Sequence, residues 1–253
     1  MKSKVKKQKP ITNIYAPVYE VFFSYQGEGP YTGTPQIFVR FAGCNIKCNY
    51  CDTAYSIKIS DNAKYYSSQE LLAEIEKILK KMDCRGASRF AMTGTSKPSI
   101  AITGGEPLIH ADFLKVFLPA LKKYGFQVYL ETNGTLPKNL KKIISFCDIV
   151  SMDFKFQSEC KKSFWKEHKE FLKIAKDKVF VKCVVTKNTS LNEIKRSGQI
   201  IRSASKKICL ILQPSTGKDI PLAKNLSAFY TELKKTLPNV LIMPQLHKIL
   251  RIR

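Results

Sequence analysis

Strand-like apolar runs alternate with segments of helical periodicity along most of the sequence, and this alternation constrains the fold more than any other feature. Short runs rich in Ile, Val, Leu and Phe follow longer segments that carry apolar residues on one helical face. Such an order is typical of a parallel sheet with crossover helices. It predicts an α/β fold, namely a partial (splayed) parallel β/α barrel of about six to seven strands, with its active site at the carboxyl ends of the strands.

The pattern gives approximate bounds for each element. Strands are predicted at 37–41, 99–103, 126–131, 149–152, 178–185, 208–212 and 240–243. Helices are predicted at 68–82, 110–124, 136–146, 164–175, 191–203 and 222–237. The first helix opens at the capping pair Ser67-Ser68. Residues 56–64 and 84–97 are rich in Ser, Lys, Gly and Thr without a clear period, which predicts surface insertions.

Length and cysteine usage indicate one intracellular domain. A chain of 253 residues can bury a sizeable core, and we predict a basic, flexible N-terminal tail (1–18) followed by a single domain (19–253). No apolar stretch approaches the roughly 20 residues that span a bilayer. The lysine-rich start has no apolar core, so we do not expect a secretion signal. Eight cysteines, three of them clustered, suit a reducing cytosol better than disulfides, which predicts a cytoplasmic protein.

The charge balance is strongly basic. Lys and Arg number 43 against 20 Asp and Glu, a formal net charge of +23, which favours anionic partners in general. The lysines are spread along the whole chain, as a solvated surface would be. Recognisable nucleic-acid-binding motifs are absent from the sequence, so nucleic acid is not the expected partner. A basic nucleic-acid-binding module built on zinc stays open as an alternative on charge alone.

Three clustered cysteines directly follow the first predicted strand. Cys44, Cys48 and Cys51 stand in Cys-x3-Cys-x2-Cys spacing. Three thiolates can hold three corners of a four-iron cluster and leave the fourth iron without a protein ligand, whereas electron-carrying clusters take four cysteines. An open iron implies a bound reactant.

Other uses of the same cysteines fit less well. A structural zinc site takes four ligands, and the histidines, His110, His168 and His247, lie far along the sequence. A dithiol redox pair would leave Cys44 unexplained. The remaining cysteines have no ligand spacing: Cys84, Cys147, Cys160, Cys183 and Cys209. We expect Cys183 and Cys209, which fall in predicted strands, to be small core residues.

The cysteine spacing resembles that of the radical S-adenosylmethionine (SAM) enzymes, which place SAM on the open iron of a 4Fe–4S cluster. Thr103-Gly-Gly-Glu-Pro107 is similar to the motif that holds the SAM amino group there, and Glu106 can accept bonds from an ammonium. An ordinary strand-to-helix turn is the alternative. By this resemblance, the residues expected to contact SAM are Gly104, Gly105, Glu106, Glu131, Asn133, Ser151, Lys155 and Gln213.

A narrower resemblance covers about residue 19 to the end. The segment Phe22-Phe-Ser-Tyr-Gln-Gly-Glu-Gly-Pro30, the Cys-Asp-Thr53 that closes the triad and the terminal Pro244-Gln-Leu-His-Lys248 look like the 7-carboxy-7-deazaguanine synthases of the queuosine and 7-deazapurine pathway. Members of that family usually carry Ser-Pro-Lys where this chain has Ser151-Met-Asp-Phe-Lys155. This departure bears on the assignments of Ser151 and Lys155.

The resemblance implies a pterin substrate, 6-carboxy-5,6,7,8-tetrahydropterin. Glu28 and Gln26 suit its N–H donor edge, and Arg40 suits its carboxylate because a guanidinium grips a carboxylate bidentately. Alternatively, these are loop polar groups and a solvent-facing strand residue. The full set expected to bind substrate is Gln26, Glu28, Arg40, Thr103, Gln245 and His247, with the last two on a C-terminal segment that closes over it.

The resemblance also implies a magnesium ion that bridges to the substrate. Thr53 is similar to the threonine that offers its hydroxyl to this Mg²⁺. Magnesium keeps several waters and takes few protein ligands, so one hydroxyl is chemically sufficient. The alternative is that Thr53 caps the helical turn that follows.

By resemblance, the reaction is a radical ring contraction with loss of ammonia. A radical generated from SAM takes hydrogen from C6 of the pterin, the ring contracts, and 7-carboxy-7-deazaguanine is released. An electron donor such as flavodoxin or ferredoxin and a homodimer are expected partners. A glycyl-radical-enzyme activase shares the cysteine triad and remains the rival within enzymes, although it does not need Gln26-Gly-Glu-Gly29.

Overall fold

The computed structural model describes residues 14–84, 97–216 and 219–251. Its strands are β1 Ala16–Tyr25, β2 Pro35–Phe41, β3 Lys64–Tyr66, β4 Ser99–Gly104, β5 Val128–Thr132, β6 Ile149–Asp153, β7 Val179–Val185, β8 Leu210–Pro214 and β9 Val240–Ile242. Its helices are α1 Ser68–Cys84, α2 Ala111–Lys123, α3 Pro137–Ile143, α4 Gln157–Cys160, α5 Trp165–Ala175, α6 Leu191–Ala204, α7 Ala223–Lys234 and α8 Leu246–Leu250.

All the described strands join one open sheet, in the order β3-β1-β2-β4-β5-β6-β7-β8-β9. Strands β2 and β4 to β9 are parallel, and β1 lies antiparallel to both β2 and β3. The predicted α/β fold with a parallel sheet is confirmed, and the sheet does not close into a complete barrel. It is wider than predicted because β1 and β3 extend one edge.

The two edge strands escaped prediction for different reasons. β1 connects to β2 without a crossover helix, so it lies outside the alternation on which the other strands were predicted. β3 has only three residues, too few to show a period. β1 begins at Ala16, so the last residues of the predicted tail belong to the sheet, where Ala16 pairs with Tyr66.

The helices begin and end within a few residues of their predicted bounds. At the start of α1, the amide and hydroxyl of Ser67 donate to the Glu70 carboxylate, and the Glu70 amide donates back to the Ser67 hydroxyl. This capping box accounts for the predicted start. The short helices α4 and α8 were not predicted, since four or five residues carry too little periodicity.

Alternate residues of each parallel strand face opposite sides of the sheet. One side packs on the helices and forms the main core, with Val39, Ile102, Leu130 and Val181 among its buried residues. The other side carries a second apolar cluster: Phe22, Phe38, Ala101, Tyr129, Ile149, Phe180 and Ile211. Phe38, Ala101, Tyr129 and Ile149 are register partners across four strands. All the residues of this second cluster together form an apolar floor below the site.

The predicted insertions differ in what can be said of them. Residues 58–60 are exposed, as expected of a surface segment, and the Tyr19 hydroxyl of β1 bonds the carbonyl of Lys58 and the hydroxyl of Ser60. Most of the second insertion, 85–96, lies outside the described residues, as does most of the predicted tail. Among the helices described, none has the length and apolar character needed to cross a membrane.

Candidate active site

A cavity of about 470 Å³ opens at the carboxyl ends of the parallel strands, a volume within the range of small-molecule sites. This is the edge of the sheet where α/β folds bind ligands. Residues predicted as cluster ligands, as SAM ligands and as substrate ligands all line it. Those that do are Gln26, Glu28, Arg40, Cys44, Cys48, Cys51, Thr53, Thr103, Gly104, Gly105, Glu131, Asn133, Ser151, Lys155, Gln213, Gln245 and His247. Glu106 is the predicted residue that does not line it.

The cysteine loop follows β2 and is held by backbone bonds to its neighbours. The Cys44 amide donates to the Ile57 carbonyl at 3.0 Å, and the Asn49 amide donates to the Glu159 carbonyl at 3.1 Å. The second bond lays the loop against α4. It brings the Cys48 and Cys160 sulfurs to 3.3 Å, a contact that the spacing of the cysteines did not foretell.

The thiols of the triad fit a four-iron cluster better than a lone metal ion. In the part of the chain that the structure describes, no three Cys, His, Asp or Glu side chains converge as the ligands of one ion would. Thiols that bind three different irons of a cluster do not need to converge on one point. Soft thiolates from one loop at the mouth of a cavity are a suitable donor set for such a cluster.

The Gly-Gly-Glu turn packs directly against the start of the cysteine loop. The Gly105 amide donates to the Phe41 carbonyl at 3.1 Å, and the Glu106 amide donates to the Gly43 carbonyl at 2.8 Å. A Cβ on Gly104 would overlap the backbone of Phe41, and one on Gly105 would overlap the backbone of Gly43. The backbone of these two glycines therefore packs closely against the end of β2 and the start of the cysteine loop.

Glu106 lies beneath the cavity rather than in it. Its carboxylate is fully buried and accepts bonds from the Leu108 amide, the Thr132 hydroxyl and the Asn133 amide, at 2.7 to 3.0 Å. Burial raises its pKa to about 7, although these three donors oppose the rise. The carboxylate joins the turn after β4 to the end of β5. Its contact with a SAM ammonium stays a prediction.

Asn133 connects the end of β5 with the cysteine loop. Its side-chain amide donates to the side-chain Oδ1 of Asn45 at 2.9 Å and lies 4.0 Å from the Cys44 sulfur. Its backbone carbonyl lies 3.2 Å from the buried His168 ring nitrogen, which supports it from below. Asn133 thus lies beside the first cysteine of the triad, and its role toward SAM stays a prediction.

Lys155 belongs to a charged group at the end of β6. Its ammonium donates to Asp153 at 2.8 Å and to the Tyr50 hydroxyl at 3.2 Å. Burial would lower the pKa of Lys155, but Asp153 raises it well above its usual value. The second Asp153 oxygen is buried and has no hydrogen-bond partner among the described residues. It is available to a ligand that offers an N–H or O–H donor.

Glu28 also lines the cavity and has three donors of its own. Gln213 and Gln245 donate to one carboxylate oxygen at 3.0 and 2.7 Å, and the Lys182 ammonium donates to the other. Burial would raise the pKa of Glu28, but Lys182 and the Gln245 bond lower it to about 2. The structure thus places Gln213, predicted for SAM, beside residues predicted for the substrate.

Gln26, Thr103 and Glu131 form a second hydrogen-bonded group on the cavity wall. The Gln26 amide donates to Glu131 and to Gln36, both at 3.0 Å, and the Thr103 hydroxyl donates to Glu131 at 2.7 Å. Gln26 lies in the loop after β1 but is buried there, at 2% exposed, and its contact with a substrate stays a prediction. Glu131, predicted for SAM, bonds two residues predicted for the substrate.

Arg40 faces the cavity rather than solvent. Its Nε donates to Glu20 at 2.7 Å, and its guanidinium lies over the Phe22 ring at 5.6 Å from the centroid. A guanidinium has two further nitrogens in the same plane, which suit a carboxylate. The solvent-facing alternative for Arg40 is therefore wrong, while the bond to a substrate carboxylate stays a prediction.

Thr53 and the C-terminal segment meet at the rim. Thr53 precedes a short helical turn, but its side chain makes no capping bond, so the capping alternative fails. Its hydroxyl lies 3.9 Å from the Cys51 sulfur. From α8, His247 and Lys248 approach Asp52 at 3.9 and 3.4 Å. Residues of the C-terminal segment line the cavity, while its closing over a substrate stays a prediction.

Sequence reasoning missed several charged residues of the site, above all Lys182, Asp153 and Glu20. A detectable signal existed for Lys182: it is the one charged residue in the run Val-Phe-Val-Lys-Cys-Val-Val of β7. A charge inside a buried strand needs a partner or a ligand. Asp153 shows the same signal at the end of β6.

Comparisons with known proteins identify the family of this chain. A family model described as Radical SAM superfamily matches residues 38–194. The 7-carboxy-7-deazaguanine synthase of Geobacter sulfurreducens is 36% identical over 93% of this chain and 97% of its own. That of Archaeoglobus fulgidus is 31% identical over 94% and 99%. The crystal structure of QueE from Escherichia coli shares the fold, with a TM-score of 0.59 at 23% identity over 90% of this chain and 94% of that one. The chain therefore belongs to the radical SAM superfamily and, within it, to the family of 7-carboxy-7-deazaguanine synthases.

Proposed function

We propose that this chain is a radical SAM lyase that converts 6-carboxy-5,6,7,8-tetrahydropterin to 7-carboxy-7-deazaguanine with loss of ammonia. The proposal follows from the family and is supported by one observation above all. A single cavity is lined by the cysteine triad and also by the Glu28, Gln213 and Gln245 group. That arrangement suits a reaction between a cluster-bound cofactor and a polar heterocycle.

The two ends of the cavity suit different ligands. When bound, the 4Fe–4S cluster and SAM supply the radical that takes the C6 hydrogen. Cys44, Cys48 and Cys51 would hold the cluster, while Gly104, Gly105 and Asn133 border the space for SAM beside it. The chain contributes position and exclusion of water, which are the terms a protein adds to cofactor chemistry.

The pterin suits the opposite end. Glu28, held as an anion, accepts from the donor edge of the ring, and Arg40 holds the carboxylate group. Gln245 and His247 close the pocket from α8. Thr53 lies at the rim, where its hydroxyl can bind a Mg²⁺ that also contacts the substrate.

The decisive experiment is an anaerobic reaction of reconstituted protein with SAM, Mg²⁺, dithionite and 6-carboxytetrahydropterin, followed by mass spectrometry. We expect a product lighter than the substrate by one ammonia. The appearance of 5′-deoxyadenosine without that product would retain the radical SAM class and refute the substrate. A protein with an intact cluster that yields neither compound would refute the proposed reaction.

The proposal extends to the surroundings of the enzyme. The cluster needs one-electron reduction, for which we expect a flavodoxin or a ferredoxin, and it needs a reducing compartment such as the cytosol. The homodimer stays a prediction of the family resemblance. The glycyl-radical-activase rival is not favoured, because Gln26 and Glu28, which it does not need, are built into the cavity wall.

A further inference from the structure

We propose that Lys182 is a positioning residue of this enzyme: it holds the Glu28 carboxylate toward the donor edge of the pterin ring and makes the pocket selective for that edge. The inference rests on the proposed function. Lys182 was not among the residues that the motif resemblance implied. We assign to it the selectivity between ring edges that donate hydrogen bonds and ring edges that accept them.

The first observation behind this inference is the position of Lys182 in the sheet. On β7, Phe180, Lys182 and Val184 face the site side of the sheet, and Phe180 belongs to the apolar floor. The Lys182 side chain is 8% exposed. A buried ammonium is costly unless an anion and hydrogen bonds compensate it. The Glu28 carboxylate, itself 15% exposed, is the anion that Lys182 contacts.

The second observation is the set of hydrogen bonds that Glu28 accepts. Its two oxygens are unequal: one takes both amide donors, from Gln213 and Gln245, and the other takes Lys182. Three donors from three elements fix the plane of the carboxylate. Because the two amides fill the acceptor sites of one oxygen, the lone pair that remains, on the oxygen bonded to Lys182, can accept an N–H bond from the donor edge of the ring.

The third observation concerns the charged groups around Glu28 and Lys182. His247 on α8 also stabilises the Glu28 anion, while Tyr129 and Glu131 on β5 and Asp153 on β6 complete the charged and titratable groups nearby. Lys182 lies opposite Asp153 in the strand register, yet its hydrogen bond goes to Glu28. Lys182 is thus the principal cation offsetting the burial of Glu28.

Removal of Lys182 should change what Glu28 can recognise. Without the ammonium, only the amide bond from Gln245 and the charge of His247 oppose burial, so the pKa of Glu28 should rise. A protonated carboxyl donates one hydrogen bond and loses acceptor capacity, so it suits a ring carbonyl as well as a ring N–H. The pocket should then lose its preference for a donor edge, and binding of a donor edge should weaken as the pH falls.

The experiment uses the anaerobically reconstituted enzyme with SAM and without reductant, so that nothing turns over. Binding of 6-carboxypterin is compared by calorimetry with binding of 6-carboxylumazine, in which a carbonyl replaces the amino group of the donor edge. Titrations run from about pH 5.5 to about pH 7.5, below the range where the ring N–H groups ionise. Wild type, Lys182→Met, Lys182→Arg and the control Lys207→Met are compared. Lys207 is exposed at the opposite end of the sheet.

We expect the wild type and Lys207→Met to prefer the pterin by about a hundredfold or more at every pH, as sites built to pair an N–H group do. Lys182→Met should reduce this preference by about tenfold and make pterin binding weaker at low pH. Lys182→Arg should restore much of both. Glu28→Gln should bind the pterin weakly, and adding Lys182→Met to it should then have little further effect, because the two residues act as one unit.

Several outcomes would overturn the inference. An unchanged ligand preference and a flat pH profile in a folded Lys182→Met enzyme would refute it. If that variant does not fold, additive effects of Lys182→Arg and Glu28→Gln would refute it instead. A wild type that binds neither ligand, although it holds SAM, would refute the proposed substrate and remove the basis of the inference.

Discussion

Near the cysteine triad, the role of a single side chain depends on the residues beside it. Cys160, on α4, places its sulfur 3.3 Å from that of Cys48 but lies outside the triad. Its hydrogen bond is the largest influence on Cys48 and lowers the pKa of that thiol to about 7. A thiol in this position can donate to a neighbouring thiolate, and such bonds to cluster sulfurs tune the reduction potential. Proximity alone therefore does not make Cys160 a ligand.

Two alanine variants separate a ligand from a neighbour. We expect Cys48→Ala to lose the cluster and all turnover, because two thiolates do not retain a four-iron cluster. Cys160→Ala removes the adjacent sulfur, and we expect it to retain about four irons per chain with a shifted potential. Iron and sulfide analysis, with potentiometry of the retained cluster, tests both. A Cys160→Ala protein without iron would make Cys160 part of the cluster site.

Thr53 offers a second test at a single hydroxyl. We expect Thr53→Ala to weaken the response of turnover to Mg²⁺ by about tenfold or more while the iron content stays unchanged, because the hydroxyl would bind the metal and not the cluster. Thr34→Ala, which removes an exposed hydroxyl outside the cavity, is the control. Titration of activity with Mg²⁺ measures the effect. Equal titration curves for both variants would remove the assignment of Thr53.

Single residues could be predicted from the sequence where they belong to a recognisable motif. They could not be predicted where only the fold brings them together. The thiols, Arg40 and Gln245 belong to recognisable segments, and each lines the cavity. Lys182 carries no motif, and its partner Glu28 is distant in sequence. No local rule pairs two such residues. Only the strand register and the loop after β1 do so.

Among the elements, the parallel strands share one internal arrangement. Strands β2 and β4 to β8 carry apolar residues on the helix side, and on the site side an apolar residue of the floor followed by a polar one toward the carboxyl end. Examples are Phe38 and Arg40, Ala101 and Thr103, Tyr129 and Glu131. The apolar runs of the sequence predict the positions of these strands. The polar residue near the carboxyl end of a strand indicates which side chain faces the cavity. β1 lacks the crossover context, so sequence pattern alone did not reveal it.

The turn after β4 is the element whose backbone leaves least freedom. Gly104 has φ of +141°, and a Cβ there would overlap the carbonyl of Phe41. We expect Gly104→Ala to cost about 3 kcal/mol or more and to displace the cysteine loop, because both the backbone region and the space exclude a side chain. Thermal unfolding and iron content after reconstitution check this.

Gly125 supplies the matched control. It has φ of +78° in the loop after α2, but nothing lies within 4 Å of an added Cβ. Gly125→Ala should cost about 1–2 kcal/mol for its conformation and leave cluster assembly intact. Equal iron loss in the two variants would show that the turn after β4 has no special part in holding the loop.

At the scale of the whole molecule, distant parts of the chain close the cavity together. The Leu246 amide donates to the Gly27 carbonyl at 2.9 Å, and Gln245 donates to Glu28 at 2.7 Å. A Cβ on Gly27 would overlap the His247 ring, so the segment lies directly on the loop after β1. His247 and Lys248 of this segment also approach Asp52 in the cysteine loop, but the backbone bonds that hold that loop, to Ile57 and Glu159, do not involve the segment.

Removal of residues 245–253 should therefore separate the two halves of the function. We expect the truncated protein to assemble its cluster and bind SAM normally, and to bind 6-carboxypterin at least about tenfold more weakly, because Glu28 loses a donor and the pocket loses a wall. Iron analysis and calorimetry measure the two properties. Undiminished pterin binding would show that α8 takes no part in the pocket.

The bond between residues 27 and 246 also sets an order of events during synthesis on the ribosome. The cysteine loop and the Gly-Gly-Glu turn are made early, and they and the strands between them can come together as domains begin to fold from their amino-terminal side. The proposed pterin pocket cannot be completed until translation has passed residue 248. A nascent chain can thus gather the thiols for its cluster well before it can hold a substrate.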